Sequence, residues 1–188
     1  MSFATVTTSN MEMTPMRVMF KPVGGSSTDL GGTLDNVVIT IAYKKSPIMA
    51  DQYGKTDLDM RVSGVDFKVT TSLTEVQNVE TLWPVVFPNA TLITGGTGFA
   101  GKFALDFNSA IGGGSLDKAG ELLLHPLSLA DSVKDSDYTF FKACSTEESE
   151  ITYSPDGQAK LKIVWKIFPD TSTSPPQFFR HGDAALTP

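Results

Sequence analysis

Glycines at 96, 98 and 101 in "TLITGGTGFAGKF" (91–103) spell G-x-G-x-x-G behind a short apolar run. That spacing can carry dinucleotide chemistry, because backbone N–H groups at a helix N-terminus hold a pyrophosphate. Tyr138 and Lys142 in "YTFFK" have the Y-x-x-x-K spacing of short-chain dehydrogenases, in which the lysine lowers the tyrosine pKa. Both motifs need a helix, and the local sequence supplies strands instead. After Gly101, Phe103, Leu105 and Phe107 alternate with small or polar residues, which is the period of a strand. The acidic residue required about 20 positions on would fall near Asp117, inside the Gly-rich "GGGSLDKAG" and not at a strand end. "YTFFKA" is a run of β-formers, and a four-residue offset along a strand separates Tyr138 from Lys142 by about 13 Å. Neither a cofactor site nor a catalytic pair is expected.

Other chemistry-bearing residues are scattered. Asp57 and Asp59 read as solvated acids at a strand start, and His125 before Pro126 as a turn-capping or core histidine. Cys144 reads as a small buried residue, and Trp83 and Trp165 as core. Lys160, Lys162 and Lys166 form a stripe without interleaved aromatics, which favours a solvated or subunit-facing surface over a DNA site. A single cysteine rules out an intrachain disulfide, and two histidines, His125 and His181, make a histidine-based metal cluster improbable.

The elements that must position these residues follow from composition and periodicity. The 188 residues are 40% hydrophobic and 19% charged, the balance of one globular domain with a substantial core. A net charge of −6 disfavours attraction to nucleic-acid phosphates. The N-terminal "MSFATVTTSNMEMTPM" has neither the basic nor the apolar region of a secretory signal, and no apolar run is long enough to span a membrane. Synthesis and folding in a cytoplasm are expected.

Residues 1–14 read as a polar N-terminal arm, 17–23 as a strand, and "GGSSTDLGG" (24–32) as a loop. In "DNVVITIAYKK", Val37, Ile39, Ile41 and Tyr43 share one face of a strand, and 46–57 follows as a long loop. Leu58, Met60 and Val62 have one parity and Val65, Phe67 and Val69 the other, so a bulge at Ser63-Gly64 would turn both halves to one core. Ser72 and Glu75 form a capping box for a helix whose apolar stripe is Leu73, Val76, Val79 and Leu82 or Trp83, stopped by Pro84. Further strands are expected at 103–107, 121–124, 138–143, 150–153 and 160–168, before an irregular tail over 171–188. The fold class is mainly β: a single sandwich or barrel with one flanking α-helix, a long loop and terminal arms.

The order of elements from Leu30 to Leu92 resembles the tail tube (major tail) proteins of long-tailed bacteriophages. The residues that carry the likeness are "DLGGTLDNVVITIAY" and "DQYGKTDLDMRVSGVDFKVTTSLTEVQNVETLWPVVFPNATL", with "LLLHPL", "DYTFFKA" and "ITYSPDGQAKLKIVWKIFPD" matching the closing strands. It covers residues 17 to 170 and rests on the order of elements; the tail beyond Asp170 departs from it.

The resemblance implies a structural virion protein and no enzyme, catalytic residue, cofactor or metal. Homo-hexameric rings would stack into a hollow tail tube, located in the virion tail and assembled in the host cytoplasm. Sheets of neighbouring subunits would join, and DNA would pass through the lumen without specific binding. Further partners would be other tail proteins: tape measure, terminator and baseplate components. The loop centred on Ile48, Met49, Asp51, Gln52, Tyr53 and Gly54 would contact the adjacent subunit or ring, as would the arm and the tail. Related tube-like proteins, such as a tail terminator, a baseplate component or a secretion-system tube ring, are the alternative, and a small NAD(P)-dependent reductase the more distant one.

Overall fold

The computed structural model describes residues 15–49, 56–74, 76, 80, 82–95, 101–108 and 114–186. The strands are β1 (Met16–Lys21), β2 (Thr28–Asp29), β3 (Val38–Met49), β4 (Asp57–Leu73), β5 (Ala90–Thr94), β6 (Phe103–Phe107), β7 (Gly120–Pro126), β8 (Tyr138–Thr152), β9 (Lys160–Ile167) and β10 (Phe179–His181). One short helix, α1 (Leu82–Val86), lies between β4 and β5. The protein is mainly β, as the alternating patterns predict. Its main sheet has the order β2-β1-β7-β8-β9-β4-β3, with β10 branching onto β8, while β5 and β6 form a separate hairpin. Every pairing is antiparallel.

The centre of the sheet follows the sequence pattern closely. In β9, Leu161, Ile163, Trp165 and Ile167 are buried, and the intervening lysines point to the other face. Trp165 packs against Phe20 with ring centroids 4.9 Å apart. Its indole N–H donates to Thr71 Oγ1 at 3.0 Å, so the ring is buried without an unsatisfied donor. Phe67, Val69 and Leu73 of β4, Leu122 and Leu124 of β7 and Phe140 of β8 complete the core. Each such side chain contributes about 1.5–3 kcal/mol on burial.

The expected bulge is present. Lys44 pairs with Gly64 and Lys45 with Val62, leaving Ser63 as the extra residue, its hydroxyl donating to the Lys44 carbonyl at 3.1 Å. Leu58, Met60 and Val62 therefore share the face of Phe67 and Val69. They do not reach the core, however. The hairpin extends past the body of the domain, and these three side chains are 50%, 54% and 58% exposed.

Four expectations are corrected. The loop over 46–57 is strand as far as Met49: Ser46, Pro47 and Ile48 pair with Arg61, Met60 and Asp59. Pro47 is accommodated because β3 is the outermost strand, where a missing N–H interrupts no further ladder. The helix expected from Leu73 to Trp83 does not begin at the Ser72 cap, and residues 75, 77–79 and 81 lie outside the described residues. Ser72 and Leu73 remain in β4, paired with Lys162 and Leu161, and the Ser72 carbonyl accepts a hydrogen bond from Leu34 N–H at 2.8 Å. Sheet pairing on both sides outweighs the local capping signal. Among the described residues a helix covers Leu82–Val86, and Pro84, expected to stop the helix, sits in its first turn, where the missing N–H has no partner to lose. Val76 and Leu82 are buried as expected, whereas Glu75 and Val79 lie outside the described residues.

The strands expected at 138–143 and 150–153 are one strand, β8, interrupted by an irregularity between Cys144 and Glu148. Finally, the C-terminal segment folds back on its own domain instead of leaving as an arm. Asp170 and Gln177 bridge, Phe178 and Phe179 pack on Phe67 at 4.6 and 5.6 Å between centroids, and β10 pairs with Tyr138–Phe140. Apolar residues in a Pro- and Ser-rich stretch, Phe178 and Phe179, pull it in. The arm over 1–14 lies outside the described residues.

Candidate functional site

The segments in which each enzyme motif needs a helix, 103–107 and 138–142, are strand. Gly101 has φ of +76° and leads by a turn into strand β6, so residues 103–107 supply no helix for a phosphate. Gly96 and Gly98 lie outside the described residues, and Asp117 is in a short 3-10 turn, Leu116–Lys118. Tyr138 and Lys142 are both on β8, and Tyr138 stacks on His181 at 4.3 Å. Among the described residues no group of three His, Cys, Asp or Glu could hold a metal ion.

His125 and Asp137 are both buried, with Nδ1 2.6 Å from the carboxylate. The other ring nitrogen lies 3.4 Å from the Leu129 carbonyl, so the imidazole is enclosed between β7, the turn after it and the start of β8. This is the turn-closing role expected for His125. Asp57 and Asp59 are exposed, with Asp59 accepting the Met60 N–H at 2.7 Å. Cys144 is buried.

What the fold does present is an unfinished sheet. Among the described residues β3 is the outermost strand, so its far side offers backbone donors and acceptors, interrupted at Pro47, which has no N–H to give. A second edge opens inside β8. β7 accompanies β8 only as far as the Gly120–Ala143 pair, whereas β9 continues alongside from Glu148 to Thr152. Among the described residues no strand pairs with the side of 145–152 turned away from β9. Three antiparallel steps separate β8 from β3, so the two edges run in opposite directions.

The edges differ in charge. β3 carries Lys44 and Lys45 and no acid, while residues 145–152 carry Glu147, Glu148 and Glu150 and no base. Two of these acids are already met by lysines of the same copy, Glu147 by Lys68 at 2.8 Å and Glu150 by Lys162 at 4.0 Å, which leaves Glu148 as the edge acid with no ion pair among the described residues. Lys160 meets Asp35 at 2.9 Å and Lys166 bonds Asp66. The hydrogen bond from Lys166 holds the Asp66 carboxyl below the usual aspartate range, and the bond to Glu147 raises the Lys68 ammonium. The lysine stripe of β9 is thus a self-neutralised face.

The opposite face of the β3–β4 hairpin is apolar apart from Lys45, which pairs with Val62, and among the described residues it is uncovered: Ile41, Tyr43, Met49, Leu58, Met60 and Val62 are all exposed. Of the residues proposed from sequence for contacts between subunits, Ile48 and Met49 end β3 and are 37% and 52% exposed. Asp51, Gln52, Tyr53 and Gly54 lie outside the described residues. Sequence reasoning missed the two free edges. Their signal was the segregation of "KK" from "TEESE", and it became meaningful only once the strand order was known.

Comparison with known proteins gives no matching family model and no matching curated protein.

Proposed function

We propose that this chain is a structural tube subunit of a bacteriophage tail, whose copies join edge to edge into rings that stack around a DNA-conducting lumen. The observation that carries the reading is the pair of oppositely charged free edges, β3 and 145–152, running antiparallel at the two ends of β8-β9-β4-β3. Such edges are self-complementary between copies but not within one copy. A head-to-tail contact of that kind closes into a ring when its rotation permits. Backbone hydrogen bonds supply the contact, and attraction between the lysines of β3 and Glu148 favours the right partner.

Ring closure also removes the edges that would otherwise promote uncontrolled association. The resemblance in the order of elements supports hexameric rings, a place in the virion tail and contacts with tape measure, terminator and baseplate proteins. An overall charge of −6 suits a conduit that does not retain DNA. No step in this reading uses an active site, cofactor or metal.

Negative-stain electron microscopy of the concentrated protein tests it, together with sedimentation over a dilution series. Rings and stacked tubes are expected. Single rings that never stack would favour a terminator-like component, and a monomer at every concentration would overturn the proposal.

A further inference from the structure

A cleft of about 210 Å³ opens between the end of β1, helix α1 and the 3-10 turn before β7, with Phe20, Pro84, Val86, Asp117, Lys118 and Ser145 among its lining. Phe20 and Val86 are buried and give it an apolar floor. The Ser145 hydroxyl is already committed, donating to the Val86 carbonyl. A cavity of about 150 Å³ holds a benzene-sized group, so this cleft has room for a slightly larger ligand.

The 3-10 turn brings two charges of opposite sign to the cleft on consecutive residues. Lys118 is half-buried, and its ammonium donates to the Pro88 carbonyl at 3.3 Å and to Asn89 Oδ1 at 2.5 Å. Both acceptors are neutral, and among the described residues no carboxylate pairs with Lys118. An ammonium carries three donors, so these two bonds do not exhaust it. Half-buried, it is also less screened by water than a surface lysine and attracts an incoming anion more strongly. Asp117 is exposed beside it and likewise has no ion pair among the described residues.

An apolar occupant would leave both charges facing it without a partner. A simple carboxylate would suit Lys118 and be repelled by Asp117, and a simple amine would meet the reverse. A small zwitterion satisfies both. The geometry points to a binding site for a free α-amino acid with an aliphatic side chain, of the size of leucine. Its carboxylate meets Lys118, its ammonium meets Asp117, and its side chain lies on Phe20, Pro84 and Val86. The site stands whether or not copies of the chain join edge to edge.

Saturation-transfer NMR on the unlabelled full chain tests this, since it reads weak ligands on assemblies of any size. With L-leucine, transfer strongest at the methyl groups and a dissociation constant on the order of 1 mM are expected, the range open to so small a ligand. Isocaproate, which lacks the ammonium, and isoamylamine, which lacks the carboxylate, should each bind at least tenfold more weakly. Lys118→Gln and Asp117→Asn should each weaken leucine binding at least fivefold with the melting temperature unchanged. Asp117 is exposed, so Asp117→Asn and the two analogues on the parent protein decide the matter even where Lys118→Gln disturbs the turn. Absence of transfer from leucine would overturn the site. Equal binding of leucine and either analogue, or parent-like binding by Asp117→Asn, would overturn it too, since adhesion to exposed apolar surface needs neither charge.

Discussion

Gly120 marks the point at which β8 loses β7 and becomes an edge, and Gly120→Ala probes that junction directly. Gly120 is buried and pairs with Ala143, while the neighbouring Glu121 pairs with Lys21 of β1. A Cβ added there would overlap the Lys21 carbonyl oxygen and approach two ring carbons of Phe20 at 2.8 and 2.9 Å. Phe20 cannot swing aside freely, because it is packed on Trp165. The carbonyl belongs to the β1–β7 ladder and moves only if that ladder opens. Overpacking of a core costs about 1–3 kcal/mol, and an obstruction by backbone belongs at the upper end.

For a chain of this size each kcal/mol lowers the melting temperature by about 2–4 °C, so a fall of roughly 6–12 °C is expected. Calorimetry or thermal circular dichroism measures it. Gly64→Ala serves as the control, since the nearest atom to its added Cβ is 3.9 Å away and no loss of stability is expected. Phe20→Leu in the Gly120→Ala background should not restore the melting temperature, because the carbonyl remains in the way. A Gly120→Ala protein melting within about 2 °C of the parent would refute the close approach of β1 to β7, and with it the early end of β7 that exposes the β8 edge.

Charge exchange at the edges makes a second test: Lys44→Glu should raise the concentration needed for assembly about tenfold, and Glu148→Lys in the same chain should restore it, as read by light scattering. An exposed ion pair contributes only a fraction of a kcal/mol up to about 1 kcal/mol, so reversal from attraction to repulsion spans roughly 1–2 kcal/mol per interface. Val76, 1% exposed, should not tolerate Asp: an unpaired buried charge costs about 3–5 kcal/mol, and urea unfolding of Val76→Asp should show that loss. The Asp66–Lys166 pair gives a pH signature. Its carboxyl is held below the ordinary range in the folded state, so its contribution is complete above the range in which an unfolded aspartate titrates and is lost as the pH falls through the lowered folded value. Asp66→Asn should therefore flatten the acid side of the stability profile, measured as the urea midpoint below about pH 4.

Much of the framework was legible in the sequence because strands advertise themselves by a period of two. The buried parity of β9, the bulge at Ser63 and the strand after Gly101 all follow from residue order. Where local signals conflicted with pairing between distant strands, the local signals failed. Ser72 and Glu75 look like a helix start, but Ser72 and Leu73 are held by Lys162, Leu161 and Leu34, residues that no local window contains. Pro47 looks like a loop residue, and only its place on the outermost strand makes it compatible with a sheet. Phe178 and Phe179 sit in a stretch with the composition of a loose tail, and their destination on Phe67 and Phe140 is a matter of tertiary packing.

The candidate site shows the same division. The sequence determined on its own that this chain has alternating apolar faces, clustered lysines at 44 and 45, and clustered glutamates at 147, 148 and 150. It did not determine that the lysines and glutamates stand on opposite ends of β8-β9-β4-β3, nor that the hairpin's apolar face lies beyond the domain's own core. An edge is the absence of a neighbour, and strand order is set by long-range pairing, so only the folded sheet decides which backbone groups are left for another molecule.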